Sequence, residues 1–187
     1  YQMGIQNVVA VMGTALTAEH AKQIKKQCSN VILLFDSDSA GHNAILKSLE
    51  ALSLESIVVK VARLPDSDPA DFLLTNPIEA FQDVLKASVP VLRYIFHALK
   101  HQYDLAKPEE KSTFIRELMK YVSLEKDPIV KDYFIDEYAT QLNMKRSLLD
   151  RMSGNRAETV GKKIQFQTQR TKYEKAEDLL IYAMASD

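Results

Sequence analysis

The sequence predicts a parallel α/β sheet followed by an all-α segment. Within about the first 75 residues, three short β-prone apolar runs, at 7–12, 31–35 and 57–62, alternate with stretches of helical length. Strands that are joined by one helix each need right-handed crossovers, which makes the sheet parallel. Beyond Pro65 the apolar residues recur at three- and four-residue spacing, and no further convincing strand is found. The second part is therefore predicted to be helical.

The strand predicted at 31–35 is the center of the α/β part. All five of its residues are apolar, which is typical of a strand that is covered on both faces. Helices are predicted on either side of it, at 18–28 and 40–52. Residues 13–17 form the turn before the first of these helices, and Thr17 is predicted to cap it.

Proline marks the predicted helix starts of the second part. In three places a capping side chain stands directly before a proline at the first helical position, and in a fourth a proline is followed by two acids. These starts are Asp68-Pro69, Asn76-Pro77, Asp127-Pro128 and Pro108-Glu109-Glu110. Four helices are thereby expected to begin at these positions.

A helix-turn-helix pattern follows at residues 138–149, with a tight turn at Asn143. In such a motif the basic side chains can face the phosphates of nucleic acid, and here these side chains are Lys145, Arg146 and Arg151. The alternative is an ordinary helical hairpin, because one basic cluster decides little.

Four segments are predicted along the chain: 1–75, the α/β domain; 76–152, the helical subdomain; 153–171, a polar linker; and 172–187, the opening of another helical element. The last has an apolar stripe at helical spacing, made of Ala176, Leu179, Leu180 and Ala183. Residues 144–175 hold nine Lys or Arg against three Asp or Glu. This excess can attract nucleic acid through counterion release, although a solubilizing linker has the same composition.

Composition excludes several classes of protein. The 187 residues are 46% hydrophobic, which suits one or two globular domains, and the formal net charge of −1 excludes a uniformly basic coat for nucleic acid. Cys28 is the single cysteine, so it forms no internal disulfide or zinc site and indicates a reducing cytoplasm. No apolar run is long enough to span a membrane, and no signal peptide is recognized.

Two aspartates, Asp36 and Asp38, follow the buried strand at 31–35. The carboxyl end of a strand is where open α/β sheets place their sites. Carboxylates at the first and third positions of such a turn can point to the same side and form a cluster of hard oxygen ligands that suits Mg²⁺. The alternative is structural, with Asp38 or Ser39 capping the next helix. Phosphoacceptor domains and phosphatases also carry an aspartate here, so the pair indicates a location better than a reaction.

Other polar residues lie near the predicted strand ends. Thr14 follows the first strand and can line a nucleotide site, and His42 comes shortly after the acidic turn. Lys60 and Arg63 flank the end of the third strand and can hold nucleotide or template, although solvated edge charges explain them as well.

Three motifs stand in order along the chain: VVAVMGTALT at 8–17, VILLFDSDSAG at 31–41 and LPDSDPADFL at 64–73. In this order and spacing they resemble the Toprim domain of bacterial replicative primases of the DnaG type. The resemblance covers residues 4–75, and the helical remainder agrees with that family up to about residue 152. It implies a Toprim-type parallel sheet, present in part, followed by an all-α helical subdomain.

The resemblance implies an enzyme that joins ribonucleoside triphosphates on a single-stranded DNA template to make short RNA primers. It implies that Asp36 and Asp38 hold catalytic Mg²⁺ or Mn²⁺ and that Asp68 belongs to a second acidic patch. These metal-binding roles agree with the chemistry of phosphoryl transfer, because its catalysis depends mainly on positioning the reacting groups and on neutralizing the charge of the phosphates. The family further implies a cytoplasmic, nucleoid-associated bacterial protein without a membrane segment. A replicative helicase would be its partner, bound through the region from Lys172 onward.

Several departures from the family pattern shape this expectation. This sequence lacks the family's first strand, which ends in a Glu-Gly-Tyr-x-Asp motif, and also its zinc-binding amino-terminal domain. We therefore expect a fragment that makes no primers by itself. Zinc is expected only in that amino-terminal domain. Ser37 replaces the usual glycine, and Ala70 stands at the second aspartate of the third motif, with Asp71 beside it. Two alternatives stay open: a Toprim nuclease or topoisomerase, and a non-catalytic replication scaffold or nucleic-acid-binding module.

Overall fold

The computed structural model describes residues 4–12, 16–35, 39–65, 69–153 and 179–184. The strands are β1 Val8–Met12, β2 Asn30–Leu34, β3 Val58–Ala62, β4 Val89–Pro90 and β5 Leu179–Met184. The helices are α1 Ala18–Lys25, α2 Ser39–Leu54, α3 Pro69–Thr75, α4 Ile78–Lys86, α5 Val91–Lys100, α6 Pro108–Leu124, α7 Pro128–Gln141 and α8 Arg146–Met152. The chain forms two compact units, residues 1–94 with 176–187 and residues 95–175.

One sheet organizes the first unit, with strand order β1-β5-β2-β3-β4. β1, β5, β2 and β3 run parallel, and β4 pairs antiparallel with β3. The predicted α/β class and the parallel arrangement of the three predicted strands are confirmed. Val31, Leu33 and Leu34 of β2 are almost completely buried, as expected for an uncharged strand with neighbors on both sides.

Two strands were missed by the sequence prediction. The helix expected in residues 172–185 is wrong over Leu179–Met184, which forms β5 between β1 and β2, with Leu180 opposite both Val8 and Ile32. The physical reason is that an uncharged apolar run of this length fits a buried strand as well as a helix, whatever the spacing within it. β4 is only two residues long and contains Pro90, which is tolerated because β4 is an edge strand.

The helices of the first unit begin mostly where expected. Thr17 caps α1 as predicted: its hydroxyl accepts from the backbone N–H of His20, whose ring nitrogen accepts from the N–H of Thr17. α3 begins at Pro69, as predicted. α4 begins one residue later than predicted, at Ile78, because Asn76 donates its side-chain amide to the Phe72 carbonyl at the end of α3 instead of capping α4. Phe72 of α3 and Phe81 of α4 belong to one apolar core together with residues of β2 and β3.

The second unit has an aromatic core. Phe96 of α5 stacks on Tyr138 of α7 with ring centroids 5.0 Å apart and planes 8° from parallel. Phe114 of α6 meets Phe96 edge to face at 5.6 Å. All three rings are fully buried, so the predicted apolar stripes of these helices are core, as expected.

The predicted starts of α6 and α7 are both confirmed. Pro108 and Pro128 occupy the first helical positions. An Asp127 carboxylate oxygen accepts hydrogen bonds from the backbone N–H groups of Ile129, at 2.8 Å, and Val130, at 3.4 Å. Asp127 therefore satisfies donors that the helix itself leaves unpaired.

Replacing Asp127 with alanine is expected to lower the free energy of unfolding by about 1 kcal/mol, because both N–H groups lose their acceptor. Urea unfolding followed by circular dichroism measures the change. Asp127→Asn is the matched control, since its side-chain oxygen keeps the cap and should retain most of the stability. Equal losses of unfolding free energy in both variants would show that the negative charge of Asp127, and not its capping hydrogen bonds, stabilizes α7.

Candidate active site

The candidate active site is the carboxyl edge of the parallel strands. β1, β2 and β3 end at Met12, Leu34 and Ala62, and because these strands are parallel, all three ends lie at the same edge of the sheet. The residues that follow each end are therefore the ones available to form a site.

The predicted metal ligands follow β2. Asp36 and Asp38 lie outside the described residues, as do Thr14 and Asp68. Their neighbors are described: Phe35 is buried directly after β2, and α2 begins at Ser39. The connection that holds both aspartates thus starts and ends at this edge. That their carboxylates converge remains a prediction.

The described residues next to Thr14 and Asp68 show which elements adjoin these two candidates. The N–H of Leu16 donates to the Oγ of Ser48 at 3.4 Å, and Ser48 is fully buried in α2. This bond ties the chain just after Thr14 to the helix that follows the acidic turn. α3 begins with buried Pro69, directly after Asp68. Asp71 is exposed in the first turn of α3, which agrees with a helix-start role.

The two basic candidates occupy different places. Arg63 directly follows β3 and is exposed at the carboxyl edge. Lys60 lies within β3, opposite Ile32 and Pro90, and is half-buried. Of the two, Arg63 has the position expected of a residue that contacts a bound nucleotide.

A contact at this edge was missed by sequence reasoning. Nδ1 of His42, in the first turns of α2, lies 3.3 Å from the hydroxyl of Tyr94 in α5, and the ring centroids are 5.8 Å apart. Burial raises the pKa of Tyr94, and the positive charge of Arg63 opposes that rise. Tyr94 falls within an apolar helical stripe of the sequence, so no local signal distinguished it from core residues.

The helix-turn-helix shape predicted at residues 138–149 is present. α7 and α8 are joined by a tight turn in which Asn143 adopts a left-handed conformation, with φ of 49°. Arg146, however, is held by three carboxylates: it contacts Asp132, lies 2.6 Å from Asp136 and 3.4 Å from Asp150. Its charge is used within this unit, which favors the ordinary hairpin for Arg146. Lys145 and Arg151 are exposed.

Replacing Arg146 with glutamine is expected to lower the free energy of unfolding by about 1 kcal/mol, and more at low salt, because three carboxylates then repel one another without a cation. Urea unfolding at low and at high salt checks this. Lys145→Gln removes the same charge from the neighboring exposed position and should change little. A salt-independent loss at Arg146 would mean that its packing matters more than its ion pairs.

No group of three metal-ligating side chains is found within the described residues, so a metal site here depends on the acidic residues that lie outside them. No helix in the described part of the chain is long and apolar enough to cross a membrane.

Comparisons with known proteins identify two regions. Residues 1–73 match a Toprim-like family model, and residues 79–147 match a model described as the DnaB-helicase binding domain of primase. The second match covers most of α4 to α8. The helicase-binding region that was expected from Lys172 onward is therefore matched earlier in the chain.

The curated relatives are DNA primases. That of Clostridium acetobutylicum is 29% identical over 150 residues, which is 80% of this chain and 25% of the relative. That of Halalkalibacterium halodurans is 29% identical over 146 residues, 77% of this chain and 24% of the relative. The chain thus spans about a quarter of the length of the curated relatives it matches.

Solved structures of DnaG primases are also similar to this chain. The DnaG catalytic core aligns with 27% identity and a TM-score of 0.67, over 79% of this chain and 49% of that one. The DnaG primase catalytic domain bound to single-stranded DNA aligns with 28% identity and a TM-score of 0.69, over 79% and 48%.

Proposed function

We propose that this chain, which belongs to the DnaG-type family of bacterial DNA primases, takes part in the synthesis of short RNA primers on single-stranded DNA. The observation that carries the proposal is the parallel sheet, whose strand ends bring the segments after β1, β2 and β3 to one edge. The Toprim-like match covers these segments. The reaction is nucleotidyl transfer, in which a primer 3′ hydroxyl attacks a ribonucleoside triphosphate and releases pyrophosphate.

Asp36 and Asp38 are the residues that would hold Mg²⁺ or Mn²⁺, with Asp68 in a second acidic patch. The donor chemistry fits, because carboxylate oxygens are the hard ligands that these ions prefer. A bound divalent ion supplies charge neutralization at the triphosphate. The chain itself contributes position: buried Phe35 and the first turn of α2 anchor both ends of the acidic turn. A scaffold in which these aspartates only cap a helix would not need metal.

A replicative helicase is the proposed protein partner. The model described as the DnaB-helicase binding domain of primase matches residues 79–147, which supports a helicase contact within these residues. Single-stranded DNA is the proposed template, because a similar primase domain was solved bound to it. Lys145 and Arg151 are exposed basic residues that can contribute to nucleic-acid attraction.

Metal titration tests the catalytic part of the proposal. Mg²⁺ and Mn²⁺ binding is measured by calorimetry on the chain and on Asp36→Asn and Asp38→Asn. Weak binding is expected for the unchanged chain, because two carboxylates supply few of the ligands that a hard cation needs, and each substitution should weaken it further. Asp83→Asn, at an exposed position of α4, is the matched control. Equal affinity in all four proteins would defeat the metal site.

A further inference from the structure

Three polar residues from three elements lie near the carboxyl edge of the sheet. Arg63 follows β3, His42 lies near the start of α2, and Tyr94 comes from α5. The His42 to Tyr94 hydrogen bond of 3.3 Å joins α2 to α5, and the charge of Arg63 acts on the Tyr94 hydroxyl. Tyr94 therefore connects α5 with the helix that follows β2.

The hydrogen bond sets the chemistry of the imidazole. When the Tyr94 hydroxyl donates to Nδ1, the neutral ring must carry its hydrogen on the other nitrogen, Nε2. A residue that fixes a histidine tautomer in this way also fixes the orientation of the ring. In this tautomer His42 can donate a hydrogen bond through Nε2.

Burial supports a defined role for Tyr94. Tyr94 is half-buried, while Arg63 is exposed. A hydrogen bond that is partly shielded from water is electrostatically stronger than an exposed one. An exposed guanidinium supplies charge and a planar set of donors that suit phosphate oxygens.

We propose that Arg63 and His42 bind the phosphate groups of the incoming nucleoside triphosphate and that Tyr94 is the positioning residue that orients His42. This inference rests on the proposed function and adds the nucleotide-binding side of the site. His42 comes four positions after Asp38 in the sequence, and Arg63 comes shortly before the segment that contains Asp68. Both residues thus lie close in sequence to the acidic segments that are proposed to bind a metal-bound triphosphate.

The test is binding of Mg²⁺-ATP to the chain, followed by NMR of the histidine side chains and by calorimetry. ATP should shift the His42 ring signals and leave unchanged those of His20, whose ring accepts a hydrogen bond from the capping residue Thr17. The His42 ring should show the Nε2–H tautomer in the unchanged protein and a mixture of tautomers in Tyr94→Phe. Inorganic triphosphate should reproduce the shift, and an oligothymidylate strand should not.

Substitutions give the second readout. Tyr94→Phe should weaken ATP binding about fivefold and Arg63→Gln about tenfold, as expected for loss of one neutral and one charged hydrogen bond. Arg63→Lys should recover part of the loss. The matched controls are Tyr133→Phe and Arg116→Gln, which change exposed residues of the second unit. They should leave binding unchanged, and no variant should alter the thermal unfolding midpoint.

The outcomes separate this inference from the proposed function. If ATP binding is lost in Asp36→Asn but unchanged in Tyr94→Phe and Arg63→Gln, the phosphate-binding role is wrong and the metal site stands. A shift of His42 by oligothymidylate and not by ATP would overturn the choice of nucleotide over template. Absence of any ATP binding by the unchanged chain would overturn the inference, and the metal titration would then decide the function independently.

Discussion

Replacing Asp36 with asparagine is expected to lower metal-dependent primer synthesis by about a hundredfold or more. At the proposed metal site, loss of one carboxylate ligand would remove several kcal/mol of charge stabilization in the transition state, and each 1.36 kcal/mol corresponds to about tenfold in rate. The assay measures RNA synthesis on a single-stranded template, with the protein at its natural length. The decrease should appear in kcat, because the interaction strengthens as charge develops on the phosphates.

Two comparisons make this prediction specific. Asp38→Asn should give a decrease of similar size, and raising the Mg²⁺ or Mn²⁺ concentration should restore part of the activity in either variant. Asp83→Asn removes the same charge from an exposed ion pair with Lys86 and should retain full activity. Full activity in Asp36→Asn would assign the acidic turn to helix capping and favor the scaffold.

Replacing Phe96 with alanine is expected to lower the free energy of unfolding by about 3–5 kcal/mol. Phe96 is fully buried and contacts both Tyr138 and Phe114, so its removal leaves a cavity that these rings cannot fill. It also removes one stacked and one edge-to-face ring pair, each worth about 1 kcal/mol beyond buried area. Urea unfolding followed by circular dichroism measures the loss.

Matched variants distinguish cavity from helix effects. Phe96→Leu keeps most of the volume and should cost much less than Phe96→Ala. Lys100→Ala changes an exposed residue of the same helix and should shift the free energy of unfolding by less than about 0.5 kcal/mol. A loss below about 1 kcal/mol in Phe96→Ala would contradict the packing of this core.

Local chemistry allowed much of the fold to be predicted. The uncharged run of β2, the cap at Thr17 and the proline starts of α6 and α7 depend on neighboring residues alone, and each is found in the structure. β5 could not be predicted in this way. Whether an apolar run becomes strand or helix depends on the partners it meets, and those of β5 are far away in sequence.

The candidate site could likewise be predicted only in part. Its place at the carboxyl edge follows from the run before Asp36, which the sequence shows directly. The contact between His42 and Tyr94 joins residues of separate helices, and no spacing rule relates them. The ion pairs of Arg146 with Asp132 and Asp136 could not be predicted for a similar reason, because these two partners lie on the preceding helix, α7.

The central place of β5 has a consequence for how the protein is made. Among the described strands β1 pairs with β5 alone, so β1 can join its sheet only after a segment far along the chain has been synthesized. Contacts between such distant segments form slowly, and until then β1 and β2 expose unpaired edges that invite self-association. Shortening the chain before Leu179 should therefore favor aggregates during expression, even where the helical unit folds normally.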